Sequence, residues 1–128
     1  MLAASLIELI KSSESVAPEE VPALLGELEQ VVLLAVLRLG SSAYAVSIRD
    51  EIRGRAGIDV SRGTVYVTLE RLERKGFLQS WFADPTPERG GKAKRYFKAR
   101  PAALRALSEC RDVLLKMWEG VESPVGRS

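Results

Sequence analysis

Histidine is absent from these 128 residues, and cysteine occurs once, at Cys110. Those two shortages exclude the usual zinc ligand sets and the Ser-His and Cys-His nucleophile pairs. A lone cysteine also closes no disulfide within the chain. No Walker loop and no Gly-x-Gly-x-x-Gly segment is present. The carboxylates are scattered along helix surfaces instead of paired in an apolar setting, so neither an enzyme nor a cofactor is expected. Long apolar runs are missing as well. Val31 to Leu37 is far too short to cross a bilayer, and no membrane partner is expected. The first ten residues are apolar but lack a basic flank, and Glu8 interrupts them. No export signal is read there, and the expected location is cytoplasmic.

What the chain does have is charge separated along its length. Residues 61–98 hold nine basic side chains against four acidic, a net of +5, whereas residues 1–30 hold six acids against Lys11, a net of −5. The whole-chain value of +2 hides that polarity. A local basic face matters more than net charge for finding a polyanion. The hydrophobic share, 46%, is enough for a folded core, and the length suits one domain, or a small domain with an appended helix.

Punctuation by Gly, Pro and Ser divides the rest. Residues 1–22 read as an extension: a short helix over 2–11 (Leu2, Leu6, Leu9, Ile10), then an acidic linker with two prolines. From Ala23 to Leu39 a helix apolar nearly all round is expected, which needs cover on more than one side. Gly40 ends it, and Ser41 or Ser42 is expected to cap a second helix over Ala43 to Arg55 that buries Val46, Ile48 and Ile52. After a short turn, Ser61 caps a third helix running to Lys75, with Val65, Leu69 and Leu72 inward. Strands are expected near Phe77–Ala83 and Lys94–Arg100, joined by a Pro- and Gly-rich loop. Tyr96 and Lys98 fall on the strand face opposite Arg95 and Phe97. Pro101 then opens a last helix to about Val121, and 122–128 reads as a frayed tail.

The outward side of the third helix carries the chemistry. Gly63, Thr64, Tyr66, Val67, Arg71 and Arg74 combine small residues that permit close approach with hydroxyls and cations that bind phosphates or base edges. Beside it, a hairpin whose loop holds Gly90, Gly91, Lys92, Lys94 and Arg95 offers electrostatic contacts to the DNA backbone or minor-groove edge. The competing reading is two packed amphipathic helices and a solvated loop, a winged-helix protein-interaction module without DNA binding. Trp81 and Trp118 read first as packing residues. Stacking of Trp118 on a small ligand is the alternative. Cys110 reads as a buried small hydrophobe.

Gly26-Glu27-Leu28-Glu29 with the apolar run after it, Ala43-Tyr44-Ala45-Val46, the segment Ser61 to Gly76 with its Gly-Thr-x-Tyr-x-x-Leu-x-x-Leu pattern, and Lys94-Arg95-Tyr96-Phe97 resemble, in that order, the PadR family of winged-helix transcription regulators. The chain departs from the family at Val67, where proline is common. The resemblance implies a mainly α fold: a winged helix-turn-helix over 23–100 with a two-stranded β wing, then a dimerisation helix over 101–121. It implies a dimeric repressor that binds double-stranded DNA at a palindromic operator. The third helix would enter the major groove, and the first and last helices would build the homodimer. Tyr44, Ser61 and Arg62, standing in matched motifs, join the expected DNA-binding set. Leu28, Val31, Leu107, Leu114, Trp118 and Val121 are the expected dimer contacts. A small-molecule effector, aromatic and seated against Cys110, Leu114, Leu115 and Trp118, would release the DNA.

Overall fold

A glycine sets where the first helix begins. The structure, a computed structural model, describes residues 24–83 and 93–121. Helix α1 spans Glu27–Leu39 and starts later than the apolar pattern implies, because Gly26 is extended (φ −67°, ψ 162°). The Gly26 N–H donates to Glu29 Oε1 at 2.9 Å, which satisfies a donor the helix itself leaves free. Gly40 closes α1 at φ +59°, a conformation that side-chain-bearing residues seldom adopt. Val32, Leu33, Ala35 and Val36 are buried, while Leu34 and Leu37 stand exposed.

Helix α2 spans Ala45–Ala56. Neither Ser41 nor Ser42 caps it; both lie in a 3-10 turn, Gly40–Ser42, where the Ser42 hydroxyl donates to the Leu39 carbonyl. The cap position is Tyr44, whose N–H is accepted by Ser47 Oγ at 3.0 Å. The start moves past Ala43 because that residue is held in extended form: its carbonyl accepts from the Phe97 N–H, and Tyr44 forms an isolated bridge with Tyr96. Ile48 and Ile52 are buried as the spacing requires, whereas Val46 is only half-buried. Gly57 ends the helix in the left-handed region (φ +71°).

Helix α3, Arg62–Arg74, begins at Ser61, whose Oγ accepts from the Thr64 N–H at 3.1 Å. Its inward face is Val65, Leu69 and Leu72, joined by Thr68, whose hydroxyl donates to the Thr64 carbonyl. Strands β1, Leu78–Phe82, and β2, Arg95–Ala99, pair antiparallel with Ser80 opposite Phe97 and Phe82 opposite Arg95. Leu78 and Phe97 are buried, and together with α1, α2 and α3 they make one core. Each large apolar side chain there contributes roughly 1.5–3 kcal/mol by leaving water. The result is a mainly helical winged helix with a two-stranded wing, as the pattern of elements implied.

Helix α4 spans Pro101–Trp118. The chain divides into two compact units, one over Gly26–Arg105 and a second that includes Leu25 and Ala106 onward. Within the second unit, Leu107 and Cys110 are buried, and the Leu25 N–H donates to Cys110 Sγ at 3.3 Å. Leu114, Leu115, Met117, Trp118 and Val121 are exposed. Among the described residues no helix is long and apolar enough to cross a membrane, and no cluster of side chains could hold a metal ion. The expected helix at 2–11, the loop at 84–91, Lys92 and the tail at 122–128 lie outside the described residues.

Candidate nucleic-acid interface

Ser61 governs the approach to the site. As the α3 cap it also donates its hydroxyl to Thr64 Oγ1 at 2.9 Å, so the first turn is locked from both sides. Arg62, Gly63, Thr64 and Val67 are exposed along that turn and the next. A Cβ added at Gly63 would meet only Ser61 Oγ, at 4.0 Å, so the open side of the helix is smooth there. One and two turns on, Arg71 and Arg74 are exposed, and with Arg62 they form no ion pair among the described residues. A helix with small residues at its N-terminal end and unpaired guanidinium groups along its flank suits groove insertion with phosphate contacts beside it.

Two neighbouring cations of the wing, Lys94 and Arg95, meet different partners. Lys94 places Nζ 4.1 Å from the centre of the Tyr44 ring, a cation–π contact that holds the ammonium close to the start of α2. Tyr44 packs on Tyr96 (5.4 Å between ring centres), and Tyr96 stacks on Trp81 (6.1 Å, 20° between planes). Trp81 therefore packs within the wing, and it borders an apolar groove of about 460 Å³ with Val36, Leu37 and Lys98.

Arg95 turns the other way. Its guanidinium donates to Tyr66 Oη, to Glu70 Oε2 at 3.1 Å and to Glu73 Oε1 at 2.8 Å, and its Nε donates to Ser80 Oγ at 3.1 Å. The side chain is only 20% exposed. Burial works against its charge, but Glu70, Tyr66 and Glu73 outweigh that and hold it protonated more firmly than a free arginine. Tyr66, half-buried, is thus tied by its hydroxyl to the wing.

A second tie fixes the far end of α3. Lys75 Nζ donates to Glu29 Oε2 at 2.8 Å, and the Glu29 side chain is 9% exposed. Burial alone would raise its pKa. The hydrogen bonds from Lys75 and the Gly26 N–H, with the Lys75 and Arg71 charges, reverse that and leave it below the ordinary carboxylate value. Reasoning from sequence did not single out Glu29, Glu70, Glu73 or Ser80. The available signal was two acids three apart on the flank of an otherwise basic helix, which asks for a partner cation.

The structure brings Tyr44, Ser61, Arg62, Gly63, Thr64, Tyr66, Val67, Arg71, Arg74, Lys94 and Arg95 into the unit over Gly26–Arg105. Lys92 lies outside the described residues. Of the expected dimer contacts, Leu28 and Val31 are half-buried, Leu107 is buried, and Leu114, Trp118 and Val121 are exposed. Of the expected ligand contacts, Cys110 is buried while Leu114, Leu115 and Trp118 are exposed.

The sequence profile of the PadR-like transcriptional regulator family matches residues 33–108, more than half of the chain. An uncharacterised protein of Lysinibacillus sphaericus is 27% identical over 97 residues, 76% of this chain and 83% of that one. The crystal structure of a PadR family transcriptional regulator from Eggerthella lenta superposes with a TM-score of 0.60 at 26% identity, covering 77% of this chain and 86% of that chain. The PcaV transcriptional regulator from Streptomyces coelicolor, solved in complex with its natural ligand, superposes with a TM-score of 0.58 at 16% identity, covering 94% of this chain and 77% of that chain.

Proposed function

Because the chain belongs to the PadR-like family of transcriptional regulators, we propose that it binds a palindromic DNA operator as a homodimer and represses transcription from it. The observation that carries this reading is the exposed face of α3, where the side chains of Arg62, Thr64, Val67, Arg71 and Arg74 make no hydrogen bond or ion pair beyond the helix and its cap among the described residues. A two-fold dimer would set two such helices into successive major grooves about one helical turn apart. Leu114, Trp118 and Val121, exposed on and just beyond α4, supply apolar surface for the second copy, and half-buried Leu28 and Val31 of α1, in the other unit, supply contacts of their own. In this reading 23–100 reads DNA and 101–121 dimerises. The protein works in the cytoplasm, where its operator is.

Control follows the same surface. A ligand that fits one spacing of the two reading helices better than another shifts the dimer toward that spacing and releases DNA. Leu114, Leu115 and Trp118 offer an aromatic compound an apolar wall in the space between copies, with buried Cys110 one turn before Leu114 on the same helix. The structural neighbour with a bound ligand supports effector control only as an analogy of fold.

Selection of duplexes from a random pool, followed by fluorescence anisotropy, tests the reading. The expected result is a two-fold symmetric sequence bound at least about a thousandfold more tightly than scrambled DNA at fixed salt. Equal binding to every duplex would leave a non-specific DNA coat. No binding at all, with a folded dimer by sedimentation, would leave the protein-interaction module.

A further inference from the structure

A guanidinium has five N–H donors, and four bonds from Arg95 go to acceptors inside the chain: Tyr66, Glu70, Glu73 and Ser80. The Ser80 hydroxyl in turn donates to both Glu73 oxygens, at 2.9 and 3.0 Å. The rings of Phe97, Tyr66 and Phe82 surround the cation at 5.1, 5.4 and 5.8 Å. A group so surrounded has little left to offer a phosphate, although it sits among the most basic residues of the sequence.

We propose that Arg95 is a positioning residue for DNA recognition: it fixes the wing to the reading helix and aims the Tyr66 hydroxyl, without touching DNA itself. Three consequences make this specific. Tyr66 Oη accepts from a cation, which draws electron density from the oxygen and leaves its own proton for donation. Its partner on DNA is therefore an acceptor, a phosphate oxygen or the N7, O6 or O4 edge of a base, and not an amino group of adenine or cytosine. Glu70 and Glu73, part-exposed beside the reading face, would repel phosphates more strongly if Arg95 did not offset one of their two charges. The fork geometry matters more than the charge, because an ammonium cannot make these bonds at once.

The inference rests on the DNA-binding reading, and the test separates the two. Full-length wild type, Arg95→Lys, Tyr66→Phe and the double variant are titrated against the fluorescein-labelled duplex that wild type selects, at several salt concentrations and well below each melting temperature. Arg95→Lys should lose about tenfold in affinity while the slope of log affinity against log salt stays that of wild type. Tyr66→Phe should lose a similar factor, and the double variant no more than the worse single, since Tyr66 counts only when Arg95 aims it. Arg95→Gln should lose more, through the uncovered carboxylates. If Arg95 instead held a phosphate directly, lysine would keep the affinity and the glutamine variant would flatten the slope by about one ion. Either that pattern, or losses in Arg95→Lys and Tyr66→Phe that multiply, overturns the proposal. Wild type selecting no duplex would bring down the DNA-binding reading and the proposal with it. Loss of thermal stability alone, with affinity intact, would leave Arg95 merely structural.

Discussion

The two halves of α3 are built to opposite rules. From Arg62 to Val67 all but the buried Val65 and the wing-bound Tyr66 face solvent, and those exposed side chains tie only to one another near the cap, as Ser61 does to Thr64. From Glu70 to Lys75 it is bound at two further points: Glu70 and Glu73 to Arg95 of the wing, and Lys75 to Glu29 of α1. Tyr66 stands at the boundary, bound to Arg95 at its hydroxyl. A helix that must present donors to a ligand has to leave them unpaired, and unpaired groups add nothing to holding the helix in place. The holding is delegated to the other half, where charges are matched and less exposed. Arg71 and Arg74 show how closely the two uses interleave, since both lie on the tied half yet point outward.

The strongest way to break that contrast is to empty the core beneath the tied half. Leu72→Ala should cost about 2–5 kcal/mol of unfolding free energy by urea titration, and Val67→Ala on the free half less than about 0.5 kcal/mol. Equal costs would show that the exposed half is also structural. Next in size is Glu29→Gln, which removes a buried, twice-bonded carboxylate and should cost about 1.5–3 kcal/mol. Its pH signature sharpens the result. The folded-state pKa of Glu29 lies below its ordinary 4.5, so its stabilisation is fully present above that range and is lost as pH falls through the folded value. Acid titration of stability should therefore fall less steeply in the glutamine variant. A parallel fall would mean that other carboxylates govern the acid limb. Ser61→Ala, which removes the cap at the free end, should cost about 1 kcal/mol and lower the melting temperature a few degrees. The smallest effect on stability, within about 0.5 kcal/mol, belongs to Arg74→Ala, which should weaken binding to all duplexes alike and reduce the salt slope by about one.

What could be read in advance follows the reach of each interaction. Val65, Leu69 and Leu72 declared the inward side of α3 because a helix repeats every 3.6 residues whatever lies beyond it. Gly40, Gly57 and Ser61 declared ends for a similarly local reason: backbone sterics and a hydroxyl three residues from the N–H it accepts. The start of α2 was misplaced because Tyr44 and Ala43 are held by Tyr96 and Phe97, and a pairing so distant in sequence leaves no local trace. The start of α1 was misplaced because Glu29 reads as a surface acid until Lys75 and the Gly26 N–H meet it.

Composition, periodicity and the Ser61–Gly76 segment were by themselves enough to determine a winged helix with basic residues along its third helix. Those properties depend on residue chemistry and on contacts within a few positions. Only the tertiary structure decided which basic residues remain free. Lys94, just before β2, and Arg95, its first residue, are neighbours of like charge, but successive side chains of extended backbone leave on opposite sides. One ammonium then meets the Tyr44 ring. The other side chain meets Glu70, Glu73 and Tyr66, brought to it by the packing of α3 against the strands. Charge is a property of the residue. Its availability is a property of what the fold places beside it.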